Sequence, residues 1–259
     1  MHSLNLKMEV NYILKNHRLV RGKEMELEQQ WAETKKVHLK KGRPEQLANS
    51  PLEASCFERY YKKDDVVFEF GSGWSTIYYS TLVNEFYSVE HDGGWGNKVK
   101  EQLGIQENIS PMFQKDSNVI LYVIPPHEQK FDDKLDEEAS KLVLNYSKEC
   151  PIKDIHPTLG TLDEVQVKDG KTYWAGRGGY DWHSFVDYIN SIEKPGIKFD
   201  KVVVDGRCRV FCAFKALDYL KDDGLLFIHD FMNRPWNHTV LDYYDMIDSA
   251  DTLAVLRRK

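Results

Sequence analysis

The chain has 259 residues, of which 41% are hydrophobic and 29% charged. That is the composition of an ordinary globular protein with enough length for one large α/β domain. Its net charge of −6 argues against a general binder of nucleic acid or of anionic membranes. No stretch approaches the roughly 18 consecutive apolar residues of a membrane span. The opening "MHSLNLKMEV" lacks the longer apolar core of a secretory signal, so a cytoplasmic location is the expectation. The cysteines, Cys56, Cys150, Cys208 and Cys212, form no C-x-x-C pair and read as apolar filler.

Residues 1–50 carry ten basic and six acidic side chains, so this end is positive while the rest of the chain is negative. Residues 1–49 read as an N-terminal helical arm. In "EMELEQQWAETKKVHLKK" the acids come first and the bases last, as the helix dipole prefers. Such an arm suits either an acidic partner or a solvated helix laid on the domain. "NSPLEASCFERYYKK" then starts a helix: Ser50 can cap, Pro51 suits the first position and Glu53 can close a capping box. "DDVVFEFGSG" gives a short buried strand running into a glycine turn, and "STIYYSTLV" a helix. "EFYSVEHD" is a second strand ending in acids, "WGNKVKEQLG" a helix stopped by Gly104, and "NVILYVIPP" a third strand.

From about 127 to 179 the rhythm breaks. This polar segment, part of it helical in pattern ("DKLDEEASKLVLNYSK"), reads as a lid, a binding insertion or disorder. Alternation then resumes with a helix ("YDWHSFVDYINSIEK"), a fourth strand ("KFDKVVVDG"), a helix ended by Gly224 and a fifth strand ("LLFIHDF"). A sixth helix ("NHTVLDYYDMIDS") and a final strand ("TLAVLRR") complete the chain.

Strands alternating with helices imply a doubly wound, mainly parallel sheet with helices on both faces, within a domain at 50–259. Ligands in such sheets sit outside the carboxyl ends of the strands. Function is therefore expected after Phe70, Val89, Val204 and Ile228.

Gly71 and Gly73 let the backbone pass close to a ligand. Ser72, Ser75 and Thr76 add hydroxyls, and the helix start adds free N–H groups. Glu90, with His91 beside it, ends the next strand about 20 residues on, where a carboxylate can accept both hydroxyl protons of a ribose. The pair reads as a site for an adenosine-containing ligand. A nicotinamide dinucleotide needs a third glycine where Thr76 stands, and no P-loop is present. S-adenosylmethionine, which has no phosphates, needs neither.

"VVFEFGSGWST", "YSVEHD", "FDKVVVDG" and "GLLFIHDF" resemble the first, second, fourth and fifth strand motifs of the class I S-adenosylmethionine-dependent methyltransferases, over about residues 50–257. The resemblance implies a Rossmann-like sheet of six to seven strands, ordered 3-2-1-4-5-7-6 with an antiparallel strand 7. The chain's own pattern shows one strand after the fifth rather than a terminal hairpin. The resemblance also implies Glu69, Gly71 and Gly73 at the cofactor's methionine end and Glu90 at its ribose. Adenine contacts stay open, with Asp116 and Ser117 as candidates.

Methyl transfer to a hydroxyl needs alignment, and a base or a cation to take up or weaken the proton. The last two strand ends offer Asp205, Arg207, Arg209, His229 and Asp230, of which Asp205, His229, Asp230 and Arg207 are the catalytic candidates. In one mechanism His229 or Asp205 takes the proton. In the other, Asp205 and Asp230 hold a magnesium ion that binds the acceptor, as in the metal-dependent catechol and sugar O-methyltransferases these strand ends resemble. Tyr173, Trp174, Arg177, Tyr180 and Trp182 in and after the insertion, with Arg234, Trp236 and His238 after strand 5, suit a polyhydroxylated acceptor. A sugar or glycan hydroxyl is the first expectation. A phenolic or other small metabolite, and a non-catalytic cofactor-binding scaffold, are the alternatives. No membrane or nucleic-acid partner is expected, and a homo-oligomer stays open.

Overall fold

The computed structural model describes residues 29–105, 117–126, 165–168, 171–174 and 182–259, with no side-chain placement for 165–168, 171–174, 182, 183, 235 and 236. The chain divides into two compact units, Met1–Pro51 and Leu52–Lys259. In the first, helix α1 runs through 29–40 and turns at Gly42, where φ is +70°. The His38 imidazole then closes the unit on itself through its Nε2, 2.8 Å from the Asn49 carbonyl.

In chain order the following elements are α2 (Pro51–Tyr60), β1 (Val66–Phe70), α3 (Trp74–Tyr79), β2 (Glu85–Glu90), α4 (Gly93–Gln102) and β3 (Val119–Val123). A separate antiparallel pair, β4 (Val165–Lys168) and β5 (Lys171–Trp174), is what the structure describes of the insertion. The helix read in "DKLDEEASKLVLNYSK" lies outside the described residues. After it come α5 (Val186–Ile189, extended by 3-10 turns over Trp182–Glu193), β6 (Phe199–Val204), α6 (Arg209–Tyr219), β7 (Leu220–Ile228), β8 (Tyr244–Ala250) and β9 (Leu253–Arg258).

Seven strands form one sheet in the order β3-β2-β1-β6-β7-β9-β8, parallel from β3 to β7, with β9 antiparallel to β7 and to β8. This is the order the resemblance implies. The terminal hairpin corrects the reading of 237–249 as a helix. Val240, Leu241, Tyr244 and Ile247 have helical spacing, but only Pro235–Asp242 winds, as a 3-10 segment. Tyr244–Ala250 pairs instead with β9 as the edge strand, mostly exposed and polar. Pairing with a neighbour decides such a strand, not its own periodicity. The helix expected to run to Gly224 likewise ends at Tyr219, because Leu220 already pairs with Phe199 of β6.

The core lies on the sheet. Phe68, Phe70, Val202, Val204, Leu226 and Ile228 alternate along the strands, with Tyr188, Ile192, Cys212 and Ala216 packed on them from α5 and α6. Cys56, Cys208 and Cys212 are buried thiols, as filler should be, and Cys150 lies outside the described residues. Register places the strand ends together: Phe70 opposite Val89 and Val204, and Val204 opposite Ile228. The four loops expected to carry function therefore leave the sheet at one edge.

At that edge two glycines touch. Gly71 has φ +95°, and a Cβ on it would lie 2.7 Å from the Gly206 Cα and N. On Gly206 a Cβ would fall 2.0 Å from the Tyr188 hydroxyl and 3.0 Å from Gly71. Both contacts involve backbone or a fully buried tyrosine, so neither neighbour can step aside. Gly71→Ala is expected to lower the stability of the domain by about 2 kcal/mol or more through left-handed strain and the backbone clash. Gly93→Ala, where a Cβ meets nothing within 4 Å, is expected to change it by under about 1 kcal/mol. Urea midpoints of the two variants make the check.

Candidate active site

The first loop is built from hydroxyls and two acids. Glu69 is buried at the end of β1, and it accepts from Ser75 Oγ at 2.7 Å, Thr76 Oγ1 at 2.5 Å and Ser88 Oγ at 2.9 Å. Thr76 Oγ1 also accepts from the Gly73 N–H at 2.9 Å. A threonine thus stands where a third glycine would serve a dinucleotide, and it ties the turn to the acid beneath. Glu69, Ser75 and Thr76 thus shape the turn from below through bonds to one another. Burial raises the Glu69 carboxyl to about 7, against the three hydroxyl bonds that favour its charge.

Glu90 is the acid at the loop's open side. Its Oε2 accepts from the Ser72 N–H at 3.0 Å and from Ser72 Oγ at 3.1 Å. Its Oε1 accepts from the N–H groups of His91 and Asp92, both at 2.8 Å, and lies 2.7 Å from His91 Nδ1. Burial opposes the charge on Glu90, but the His91 side chain and the Asp92 and Ser72 N–H groups outweigh it and hold the carboxyl below its ordinary value. The carboxylate is thus bonded directly to the glycine turn, as the reading of the two motifs requires. Asp92 caps α4 by accepting from the Trp95 N–H at 2.8 Å, and the Trp95 indole donates back to the Ser72 carbonyl at 2.8 Å. A cavity of about 190 Å³ opens on this outer flank, beside Gly73, Trp74, Ile77, Trp95 and Val99.

The opposite wall comes from the loops after β6 and β7. Asp205 Oδ1 lies 2.9 Å from His229 Nδ1, whose other nitrogen, Nε2, is 3.3 Å from Glu53 Oε2 on α2. Glu53 Oε1 accepts in turn from the N–H and hydroxyl of Thr252, at 3.1 and 2.7 Å. Arg209 binds Asp205 Oδ1 at 3.2 Å and Asp230 Oδ2 at 3.1 Å, and Arg234 binds the same Asp230 oxygen at 2.9 Å. Cys208 and Asp230 bracket this wall with φ of +52° and +55°, the strained backbone that concentrates at functional sites. Although burial disfavours an imidazolium, Asp205 and Glu53 outweigh it and raise His229 well above its ordinary value. His229, Arg209 and Arg234 together hold Asp230 down to about 2.

These contacts bear on two expectations. Asp205 and Glu53 favour the charged form of His229, which suits it to orienting Asp205 more than to accepting a proton. The magnesium expected at Asp205 and Asp230 does not fit the donors as they stand. Ligand atoms of Asp205, His229 and Asp230 do lie within 4.8 Å of one another. Their charge is already met, however, by two guanidiniums and an imidazolium, beside which a divalent cation would sit at a large electrostatic penalty.

Other expected residues fall elsewhere. His238 is fully buried, 3.0 Å from the Phe231 carbonyl, and burial lowers it to about 4, so it is a core histidine and not a rim residue. Ser117 precedes β3, at the amino end of that strand, and its Oγ accepts from the Val119 N–H at 3.1 Å. Asp116, Arg177 and Tyr180 lie outside the described residues, and the side chains of Tyr173, Trp174, Trp182 and Trp236 do also. Sequence reading missed Glu53, which reaches its partner across 176 residues, and Trp95 and Tyr188, which carried no motif.

No family profile matches the sequence, and no curated protein does. Among solved structures, the chain is similar to a methyltransferase-like protein from Silicibacter pomeroyi, with a TM-score of 0.52 and 22% identity over 84% of this chain and 89% of that one. The fold is that of the class I methyltransferases. The alignment also extends to a Streptococcus mutans protein in complex with SAH (TM-score 0.39, 13% identity, covering 82% of this chain and 100% of that one). An rRNA methylase from Streptococcus thermophilus is similar at TM-score 0.37 and 12% identity, covering 82% and 98%. Both are too distant in backbone to add to the fold assignment. The Ser72–Glu90 corner follows β1 and β2 and the Asp205–His229–Asp230 wall follows β6 and β7, so the two flank the β1–β6 step at which the strand order reverses.

The two acids of the first loop give a pH test. A carboxyl raised on folding contributes stability that is whole below its ordinary value of 4.5 and is lost as pH rises through about 7. Wild-type protein is therefore expected to lose about 3 kcal/mol relative to Glu69→Gln between those limits. Urea unfolding of both proteins at acid and at slightly alkaline pH measures it. Equal pH slopes would show that Glu69 ionises as freely folded as unfolded.

Proposed function

We propose that this protein is an S-adenosylmethionine-dependent methyltransferase that methylates a hydroxyl, with a sugar or glycan as acceptor class. The observation that carries the cofactor reading is the bond between Glu90 and the glycine turn. Two ribose hydroxyls would donate to this carboxylate, held 3.0 Å from the Ser72 N–H, in place of its Ser72 Oγ and His91 Nδ1 contacts. The Gly71–Gly206 contact keeps the loops after β1 and β6 in backbone-to-backbone approach beside that acid. The bound cofactor would supply an electrophilic methyl on a good leaving group, so this chain's residues have to align the acceptor and exclude water.

Asp205 is the group best placed to take the acceptor's proton as the new C–O bond forms, being the most open of the three strand-end partners, at 28% side-chain exposure against 16% for His229 and 21% for Asp230. His229 and Arg209 fix its orientation. They also lower its basicity, which suits a proton taken late, during transfer, rather than in advance. The acids and arginines gathered at these strand ends support a polyhydroxylated acceptor over a flat apolar one.

Calorimetry with S-adenosylhomocysteine is expected to show binding, and Glu90→Gln to weaken it by about 10- to 100-fold, the value of a charge-assisted pair of hydrogen bonds. Undiminished binding by Glu90→Gln would remove the ribose assignment, and absent binding by wild type would end the methyltransferase reading. Transfer of labelled methyl to a panel of sugars should be abolished by Asp205→Ala and be indifferent to chelator. Loss of activity in chelator with rescue by magnesium would overturn the metal-free wall.

A further inference from the structure

Arg207 differs from the two arginines beside it. Arg209 is buried and fully engaged: Nε donates to the Gly206 carbonyl, Nη1 to the His229 carbonyl and to Asp230, and Nη2 to Asp205. Arg234 is paired with Asp230. The part-buried Arg207 has a single side-chain bond among the described residues, from Nε to His91 Nε2 at 3.3 Å. His91 Nδ1 in turn lies 2.7 Å from Glu90 Oε1. The order is then Arg207 to His91 to Glu90. It spans the site from the loop after β6 to the end of β2.

This arrangement holds the guanidinium by one edge and leaves its Nη1–Nη2 fork uncommitted. An arginine with no carboxylate partner among the described residues, at a part-buried position, is unusual, since its charge is partly desolvated and unbalanced there. Its planar fork matches a carboxylate with two parallel bonds. We propose that Arg207 is a carboxylate-binding residue of this site, with His91 setting the direction of its fork.

The proposal rests on the reading above that the crevice takes S-adenosylmethionine and a hydroxylated acceptor. The carboxylate has two sources there: the amino-acid end of the cofactor, or an acidic acceptor such as a uronic acid. Arg207→Lys keeps the charge and removes both the fork and the Nε bond. Two matched pairs of probes separate the sources. S-adenosylhomocysteine is compared with methylthioadenosine, which shares the nucleoside thioether and lacks the carboxylate. On protein saturated with S-adenosylhomocysteine, glucuronate is compared with glucose.

In calorimetry, Arg207→Lys is expected to weaken the carboxylate-bearing member of one pair by about 10- to 100-fold and its counterpart by under about two-fold. A loss confined to S-adenosylhomocysteine assigns the cofactor's carboxylate, and one confined to glucuronate assigns the acceptor's. Unchanged binding in both pairs, or equal losses within each pair, overturns the proposal. Failure of the wild-type protein to bind S-adenosylhomocysteine is a different result, which removes the methyltransferase reading itself.

Discussion

Gly71 and Gly206 bring two backbones together with no room for a side chain on either, and the candidate site depends on that contact. The sheet delivers the chain to this point from two neighbouring strands, with Phe70 opposite Val204 in register. It also fixes the loops further out. The Gly71 N–H donates to Val89 at 2.8 Å and the Asp205 N–H to Phe70 at 2.9 Å, so β2, β1 and β6 are laced together just where they end. Any bulk at the junction would push the Ser72–Glu90 corner away from the Asp205 wall.

The two acids of the first loop show how burial can be turned to opposite ends. Glu69 receives only hydroxyl donors and is fully enclosed, so its carboxyl is pushed up to about 7. Glu90, only one strand away, receives backbone N–H groups and an imidazole and is held below its ordinary value. Glu69 therefore works as a hydrogen-bonding hub that ties Ser75, Thr76 and Ser88 together. Glu90 works as a standing negative charge. A motif reading that treats both as ligand contacts merges two different jobs, because sequence gives the residue type and not the donors around it.

What was legible in the sequence follows from the range of the interactions involved. The strand–turn–helix unit at Val66–Tyr79, the acid at Glu90 and the stop at Gly104 are set by neighbours within a few residues, and each stands where the pattern puts it. Pairing at the sheet edge was not legible. Residues 240–247 carry a helical spacing that β9 overrides. Nor was the coupling of α2 to the far wall, since nothing local to Glu53 announces His229 or Thr252. The histidines divide by the same rule. His229 and His238 look alike in sequence, yet acids surround one and a carbonyl in an apolar setting holds the other, driving their protonation in opposite directions.

Charge at the strand ends also bears on what can bind there. Glu53, Asp205 and Asp230 are matched by His229, Arg209 and Arg234 through contacts no longer than 3.3 Å for the closest partners. That wall is close to neutral as a unit and projects little field into the crevice. Glu90 and Arg207 stand as two opposite poles on the near side, with His91 between them, 2.7 Å from the one and 3.3 Å from the other. A ligand with donors at one end and an anionic acceptor at the other satisfies both poles without disturbing the wall. A uniformly anionic ligand would meet Glu90, and a uniformly cationic one Arg207. A wall whose own charges are paired in this way would place a reacting hydroxyl by hydrogen bonds rather than by net charge.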